Sequence, residues 1–330
     1  MLRARSLTRL TVLLASLAVA VAACGGATDP SASSAATPLK VFMLSFPPGD
    51  DFYYTLEQAA MKEAERLGVD LEIQKVSDMD PTTQVAALNA GLAKSPDVIL
   101  ISPYDSTALQ APIERAVAQG VKVITYDNTI AKGEGVLSTW VSSDTVEEGR
   151  MAARALVDLI DGKGKVFYQG TQIGAAFWQA IQEGWQDVMD AEAGIEQLPA
   201  VYSDYETAKA NSQMESTLSA HPDVAGGFAS IFSDQAGIIP AIERAGKIGQ
   251  VKVVALDGQA ANIQYLRDGA IQTLISLEPT EYGNAMIQSA VKAANGEELP
   301  SQVKIPMCVL TADTVDDPAN SACIYLQAAQ

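Results

Sequence analysis

The chain of 330 residues predicts an α/β protein made of two doubly wound parallel-sheet domains, and three observations predict it. Runs that are apolar and β-branched almost throughout alternate with longer stretches of helical spacing, the pattern of strands covered by helices on both faces. The same rhythm restarts after residue 143, so the chain reads as two similar halves. Two strand-like runs, VITYDN (123–128) and VVALDG (253–258), one in each half, both end in an aspartate. In open parallel sheets a ligand sits beyond the carboxyl ends of the strands, so Asp127 and Asp257 are placed to face one cleft between the halves.

The elements follow in order. LKVFMLS (39–45) precedes a helix from about Phe52 to Leu67, and DLEIQKV (70–76) precedes one over 81–93. DVILIS (97–102) leads to a helix from Asp105 to Gln119, and VKVITYD (121–127) and LSTWVSS (137–143) close the first half. Asp144 and Glu147 form a capping-box pair for a helix over 145–159. KVFYQG (165–170), a helix over 176–192, a strand around Pro199 to Tyr202 and a helix over 207–220 come next. GGFASIF (226–232), a helix over 234–245, VKVVALD (251–257), a short helix over 262–268, IQTLISLE (271–278) and a long helix over 280–295 complete the pattern. No GxGxxG, P-loop, heptad run or short repeat is present, so no cofactor is expected.

The first residues are set apart from this fold. Arg3, Arg5 and Arg9 precede an apolar stretch from Leu10 to Ala22 that is too short to span a bilayer, the layout of a signal peptide over 1–23. It ends in Val21-Ala22-Ala23-Cys24, which resembles the lipobox of bacterial lipoproteins, where Cys24 would carry the lipid; a chance cysteine behind an ordinary leader is the alternative. Residues 24–38, small, polar and ending at Pro38, read as a tether between membrane and folded body, on the outer face of the cell membrane.

Charge and cysteine content narrow the function. Without the leader's three arginines, 19 basic residues face 40 acidic ones, a balance of −21. Such a surface repels nucleic acid and anionic headgroups. Cys308 and Cys323 are expected to form a disulfide closing the C-terminal tail, with two unpaired buried thiols as the alternative. The single histidine, His221, precedes Pro222 at a helix end, which leaves no Ser-His-Asp or Cys-His arrangement and no histidine metal site. A regulator would need a basic helix-turn-helix where the leader and tether stand.

The order and spacing of MLSFPPGDDFYYTLEQAAMKEAERLG, DVILISPYDSTAL, GVKVITYDN, LSAHPDVAGGF and VVALDG resemble the periplasmic sugar-binding proteins of ribose type, substrate-binding subunits of ATP-driven importers. The resemblance implies a type I periplasmic binding protein fold, two domains joined by three crossing segments near Val141, Glu278 and Pro306. One domain would combine 39–141 with 278–305, the other 142–277 with 306–330. It also implies a monomer that closes on a sugar and delivers it to an ABC permease. The family's first binding loop matches residues 45–53, with a polar residue near Asp50 and aromatic residues at Phe52 and Tyr53. Its two aspartates match Asp127 and Asp257, and an aromatic of its second domain matches Tyr205. Four family positions depart: an arginine is Asn128, another falls at Ile181, an asparagine falls at Ile231 and a glutamine at Leu277.

A neutral polyol needs fixed acceptors for its hydroxyls and rings for its C–H faces. Asp50, Asp127, Asn128 and Asp257 supply acceptors; Phe46, Phe52, Tyr53, Trp178 and Tyr205 supply rings. A hydrogen bond to a charged group contributes about 1.5–3 kcal/mol, so a few of them with stacking reach the roughly −8 kcal/mol of a micromolar complex. Each residue has a plainer use: Asp127 and Asp257 as turn residues, Asp50 as a helix cap, Phe52, Tyr53 and Trp178 as packing. Ile231, Phe232, Leu256 and Leu277 suggest a second wall that suits a smaller or partly deoxygenated polyol. An anionic ligand would face unscreened aspartates, while a cationic amine stays open. A lipid-anchored sensor, or a two-carboxylate glycosidase with carboxyls about 5–9.5 Å apart, are the alternatives.

Overall fold

A computed structural model describes residues 37–173 and 176–327. The leader, Cys24 and the tether up to residue 36 lie outside the described residues. The first half comprises β1 (Lys40–Ser45), α1 (Asp51–Leu67), β2 (Asp70–Lys75), α2 (Pro81–Leu92), β3 (Val98–Ile101), α3 (Gln110–Ala118), β4 (Lys122–Tyr126) and β5 (Thr139–Ser142). The second runs through α4 (Thr145–Leu159), β6 (Gly164–Gly170), α5 (Ala176–Met189), β7 (Ile195–Gln197), β8 (Val201–Tyr202), α6 (Thr207–Ala220) and β9 (Val224–Ala229). It continues with α7 (Phe232–Arg244), β10 (Lys252–Leu256), α8 (Ala260–Arg267) and β11 (Thr273–Leu277). Then come α9 (Pro279–Ala294), β12 (Gln302–Lys304), β13 (Met307–Leu310) and a 3-10 turn, Pro318–Cys323.

Local chemistry sets these boundaries. The Asp50 carboxylate accepts the amides of Phe52 and Tyr53 at 2.8 and 3.2 Å and starts α1, which Gly68 ends in a left-handed conformation. Asp144 accepts the Glu147 amide at 3.2 Å and starts α4. The helix expected from Asp105 begins five residues later, because the Asp105 carboxylate accepts the amides of Thr107 and Ala108 at 2.8 and 2.7 Å and holds a turn there. The strand expected around 199–202 is two short pieces, β7 and β8, both paired with β6.

Among the described residues the two sheets repeat one order. The first runs β2-β1-β3-β4-β5-β12, all parallel; the second runs β7-β6-β9-β10-β11-β13, parallel except for β13. β1 lies between β2 and β3, and β6 between β7 and β9, so in each half the chain winds outward in both directions from its first strand. The strands are nearly all buried, as in Val98–Ile101 and Thr273–Leu277, because helices cover both faces. Three segments pass between the sheets: Ser142 to Thr145, Leu277 to Pro279, and Lys304 to Met307.

α9 returns to the first sheet and lies so close to α1 that a Cβ on Gly283 would meet the Leu56 carbonyl oxygen at 2.4 Å. In the other lobe α4 and α5 touch backbone to backbone at Gly149 and Gly184, where a Cβ would stand 1.9 and 1.8 Å from the carbonyls of Ile181 and Val146. Each lobe has its own core, around Leu56, Leu100 and Met286 in the first and Ile238, Val253 and Leu274 in the second. The C-terminal tail reaches the first lobe at Tyr325 and Leu326. Tyr325 belongs to the core of the first lobe, 3 % exposed against Phe52.

Candidate functional site

Asp127 and Asp257 occupy the same place in the two halves. Each follows the strand that stands fourth in the spatial order of its sheet, β4 or β10, and each donates its amide to the neighbouring strand, to Val141 at 2.9 Å and Ile275 at 3.1 Å. Each takes a left-handed backbone, φ 56° and 76°, a conformation that costs a non-glycine residue about 1 kcal/mol and clusters at functional sites. Each carbonyl is held by a side chain: the Trp140 indole donates to Asp127 at 3.0 Å and the Asn262 amide to Asp257 at 3.2 Å. The strand ends thus aim both carboxylates at a common space, partly buried between the lobes.

A tyrosine hydroxyl meets each carboxylate. Tyr53 donates to Asp127 at 2.7 Å, and Tyr325 donates to Asp257 at 3.4 Å. The rings of both pack against Phe52, with centroids 5.1 and 5.5 Å away. Burial pushes the Asp127 carboxyl up to about 6, against the Tyr53 hydrogen bond and with help from the Asp50 charge. Burial, then the Asp50 charge, pushes Asp257 up to about 7. Asp50 is itself raised by burial despite the two helix amides it accepts. The charges of Asp50 and Asp127 both act on Asp257, and that of Asp50 acts on Asp127, so the three carboxyls lie near one another.

The remaining expected residues sort into two groups. Phe46 stacks on Tyr53, ring centroids 3.7 Å apart at 12°, and is 6 % exposed. Phe52 is 7 % exposed and packs edge-on against Tyr53, Tyr282 and Tyr325. Asn128 is tied by its amide and its side chain to the Ser102 hydroxyl, both at 3.3 Å. Trp178 and Tyr205 pair with each other on the second lobe, where the indole donates to the tyrosine hydroxyl at 3.2 Å. Tyr205 is 52 % exposed, and with Asp204 it forms a left-handed pair, φ 66° and 55°.

The departures from the family pattern have physical grounds. Ile181 is fully buried, because the close crossing at Gly149 and Gly184 turns it against α4 and away from the cleft. Ile231 is the residue before α7, in extended backbone, and Leu277 packs into the first lobe's core. Ser233, in the first turn of α7, has a buried hydroxyl with no partner.

Sequence reasoning missed Glu148 and Tyr325. Glu148 lies in the first turn of α4, just past the first crossing, 2 % exposed and with one carboxylate oxygen unpartnered. Burial holds its carboxyl well above the usual range, and the charges of Asp257 and Asp127 add to this. A signal for it exists: Glu148 shares the buried stripe with Ala152 and Leu156, where a charged residue is out of place. Nothing comparable marks Tyr325. The Cys308–Cys323 disulfide, with Cα atoms 6.3 Å apart, ties its segment to β13.

Carboxylates beside tyrosine rings are groups that accept hydrogen bonds from hydroxyls and pack against C–H faces. A model of the periplasmic binding protein domain matches residues 41–298. The chain is similar to the ribose import binding protein of Escherichia coli, 28 % identical over 256 residues, 78 % of this chain and 84 % of the relative. It is similar to a D-ribose/D-allose-binding protein of Pseudomonas aeruginosa, 27 % identical over 315 residues, 89 % of this chain and 96 % of the relative. A crystal structure of an ABC transporter solute-binding protein from Agrobacterium vitis, bound with α-D-tagatopyranose, matches with a TM-score of 0.80 and 30 % identity, over 88 % of this chain and all of the other. These relatives are binding proteins and not enzymes, and a match over most of the chain to one domain model, on two sheets wound in the same order, places the chain in the periplasmic binding protein family.

Proposed function

We propose that the protein captures a small neutral monosaccharide or polyol between its lobes and delivers it to an ABC import permease. The observation that carries this reading is the matched pair Asp127 and Asp257, one per lobe, each on strained backbone just past a strand's carboxyl end and near enough for the charge of one to act on the other. A ligand that touches both strand ends stabilises the closed arrangement by its differential affinity for it. The relatives named above, which bind ribose, allose and tagatose, support the sugar class.

The hinge in this reading is formed by segments near Val141, Glu278 and Pro306, with 39–141 and 278–305 as one domain and 142–277 with most of 306–330 as the other. Phe46 and Tyr53 form the aromatic wall of the first domain, and Trp178 and Tyr205 close on the ligand from the second. The leader and Cys24 make the protein a lipoprotein on the outer face of the membrane. Labelled fatty acid incorporated by the natural chain and lost in Cys24→Ala is the expected result for that anchor.

Thermal unfolding against D-ribose, D-allose, D-xylose, D-arabinose and D-tagatose tests the function. A sugar at about 100 times its dissociation constant adds roughly 2.7 kcal/mol, a shift of several degrees. One sugar should give that shift and be recovered unchanged. Silence from all five, with a shift from an amine, would withdraw the sugar reading.

A further inference from the structure

We propose that Cys323–Leu326 is a fourth connection between the lobes, and that Tyr325 within it is a positioning residue that aims the Asp257 carboxylate into the cleft. The second part rests on the reading of Asp257 as a ligand acceptor. Within four residues the segment is fastened to both lobes. On the second lobe, Cys323 is bonded to Cys308 of β13, its carbonyl accepts the Ser276 hydroxyl of β11 at 2.6 Å, and the Tyr325 amide donates to Gly258 at 3.0 Å. On the first lobe, the Leu326 amide donates to the Thr55 hydroxyl of α1 at 2.8 Å, and the Tyr325 ring enters the core beside Phe52.

Residue 258 is shaped for this passage. A Cβ there would stand 1.9 Å from the Cys323 carbonyl oxygen and 2.5 Å from the Ser276 hydroxyl, so the strap runs directly over the residue after Asp257. The charged groups acting on Asp257 are Asp50 at the start of α1, Asp127 beyond β4 and Glu148 of α4, all acidic. The hydrogen bond that the Asp257 carboxylate receives comes from Tyr325. In acidic surroundings a single donor decides which way a carboxylate points and how readily it ionises. The disulfide is the latch: without it, the turn before Tyr325 loses its bond to the edge strand.

The test needs no sugar and uses the full-length protein. The carboxyl carbon of Asp257 is followed by NMR across pH, its signal assigned by its loss in Asp257→Asn. In Tyr325→Phe, which keeps the ring, the midpoint should rise by about half a unit or more as the donor is lost. In Cys308→Ser/Cys323→Ser, amide exchange at Tyr325 and Leu326 should quicken by about tenfold or more while the sheet amides hold their protection. An unmoved Asp257 midpoint in a folded Tyr325→Phe overturns the positioning role. Unchanged exchange in the double variant overturns the latch. Should these shifts appear in a protein that binds none of the sugars tested, the strap stands and the sugar reading falls.

Discussion

The ends of β4 and β10 share a backbone and differ in how their aspartates are served. Asp127 takes its hydroxyl from Tyr53, in the first turn of a helix of its own lobe, at 2.7 Å. Asp257 takes its from Tyr325, in a tail that belongs to no helix or strand, at 3.4 Å. The next residue differs accordingly: Asn128 reaches Ser102 with its side chain, while position 258 has to be glycine because the tail passes over it. The repeat therefore conserves geometry in the strand and leaves the supporting chemistry to whichever segment comes near.

The largest effects should come from the shared part. Asp127→Ala and Asp257→Ala should each weaken the best sugar by about 2–5 kcal/mol in titration calorimetry, since each leaves buried ligand hydroxyls unpaired. A loss below tenfold in both would remove the pair from the site.

The next effects should separate the ends. Gly258→Ala should cost about 1–3 kcal/mol in chemical unfolding, because a carbonyl rather than a flexible side chain stands in the way. Asn128→Ala should cost less than about 1 kcal/mol, the loss of one long, half-buried side-chain hydrogen bond, since the backbone amide keeps its own bond to Ser102. Equal costs would mean that the tail yields freely.

A smaller effect concerns pH. Both carboxyls titrate higher in the folded protein than the usual value of 3.8. Between about pH 4 and 7 the folded state thus holds protons that the unfolded chain has released, and stability from these two groups falls as pH rises through that window. Asp257→Asn should therefore stabilise the ligand-free protein at pH 8 by about 1 kcal/mol in thermal unfolding. Tyr53→Phe should do the reverse at its own end, costing about 1 kcal/mol at pH 8 because an ionised Asp127 loses its donor.

The fold was legible because strands buried on both faces must be apolar throughout, and KVFMLS, VILI and KVVAL are so. The place of the two aspartates just past β4 and β10 was legible because each ends an apolar run of strand character. Asp50 was readable only as either a cap or a ligand, and it caps α1 while lending its charge to the pocket. The packing of Phe52 against Tyr282 of α9 was not readable, because its periodicity on α1 does not say which element covers that face. The position of Ile181 depends on two glycines in different helices, a contact that spacing along one helix does not reveal. Tyr325 was invisible because a tail without periodicity carries no sign of where it lands.

The latch also sets an order of events during biogenesis. Ribosomes deliver the chain from its amino end, so every strand of both sheets is made before Cys323 and Tyr325 emerge. Both sheets can assemble while the end of β10 still lacks its tyrosine. Asp257 receives its hydroxyl only when the last turn has docked, and the disulfide that holds that turn closes only in a compartment that supplies the oxidant.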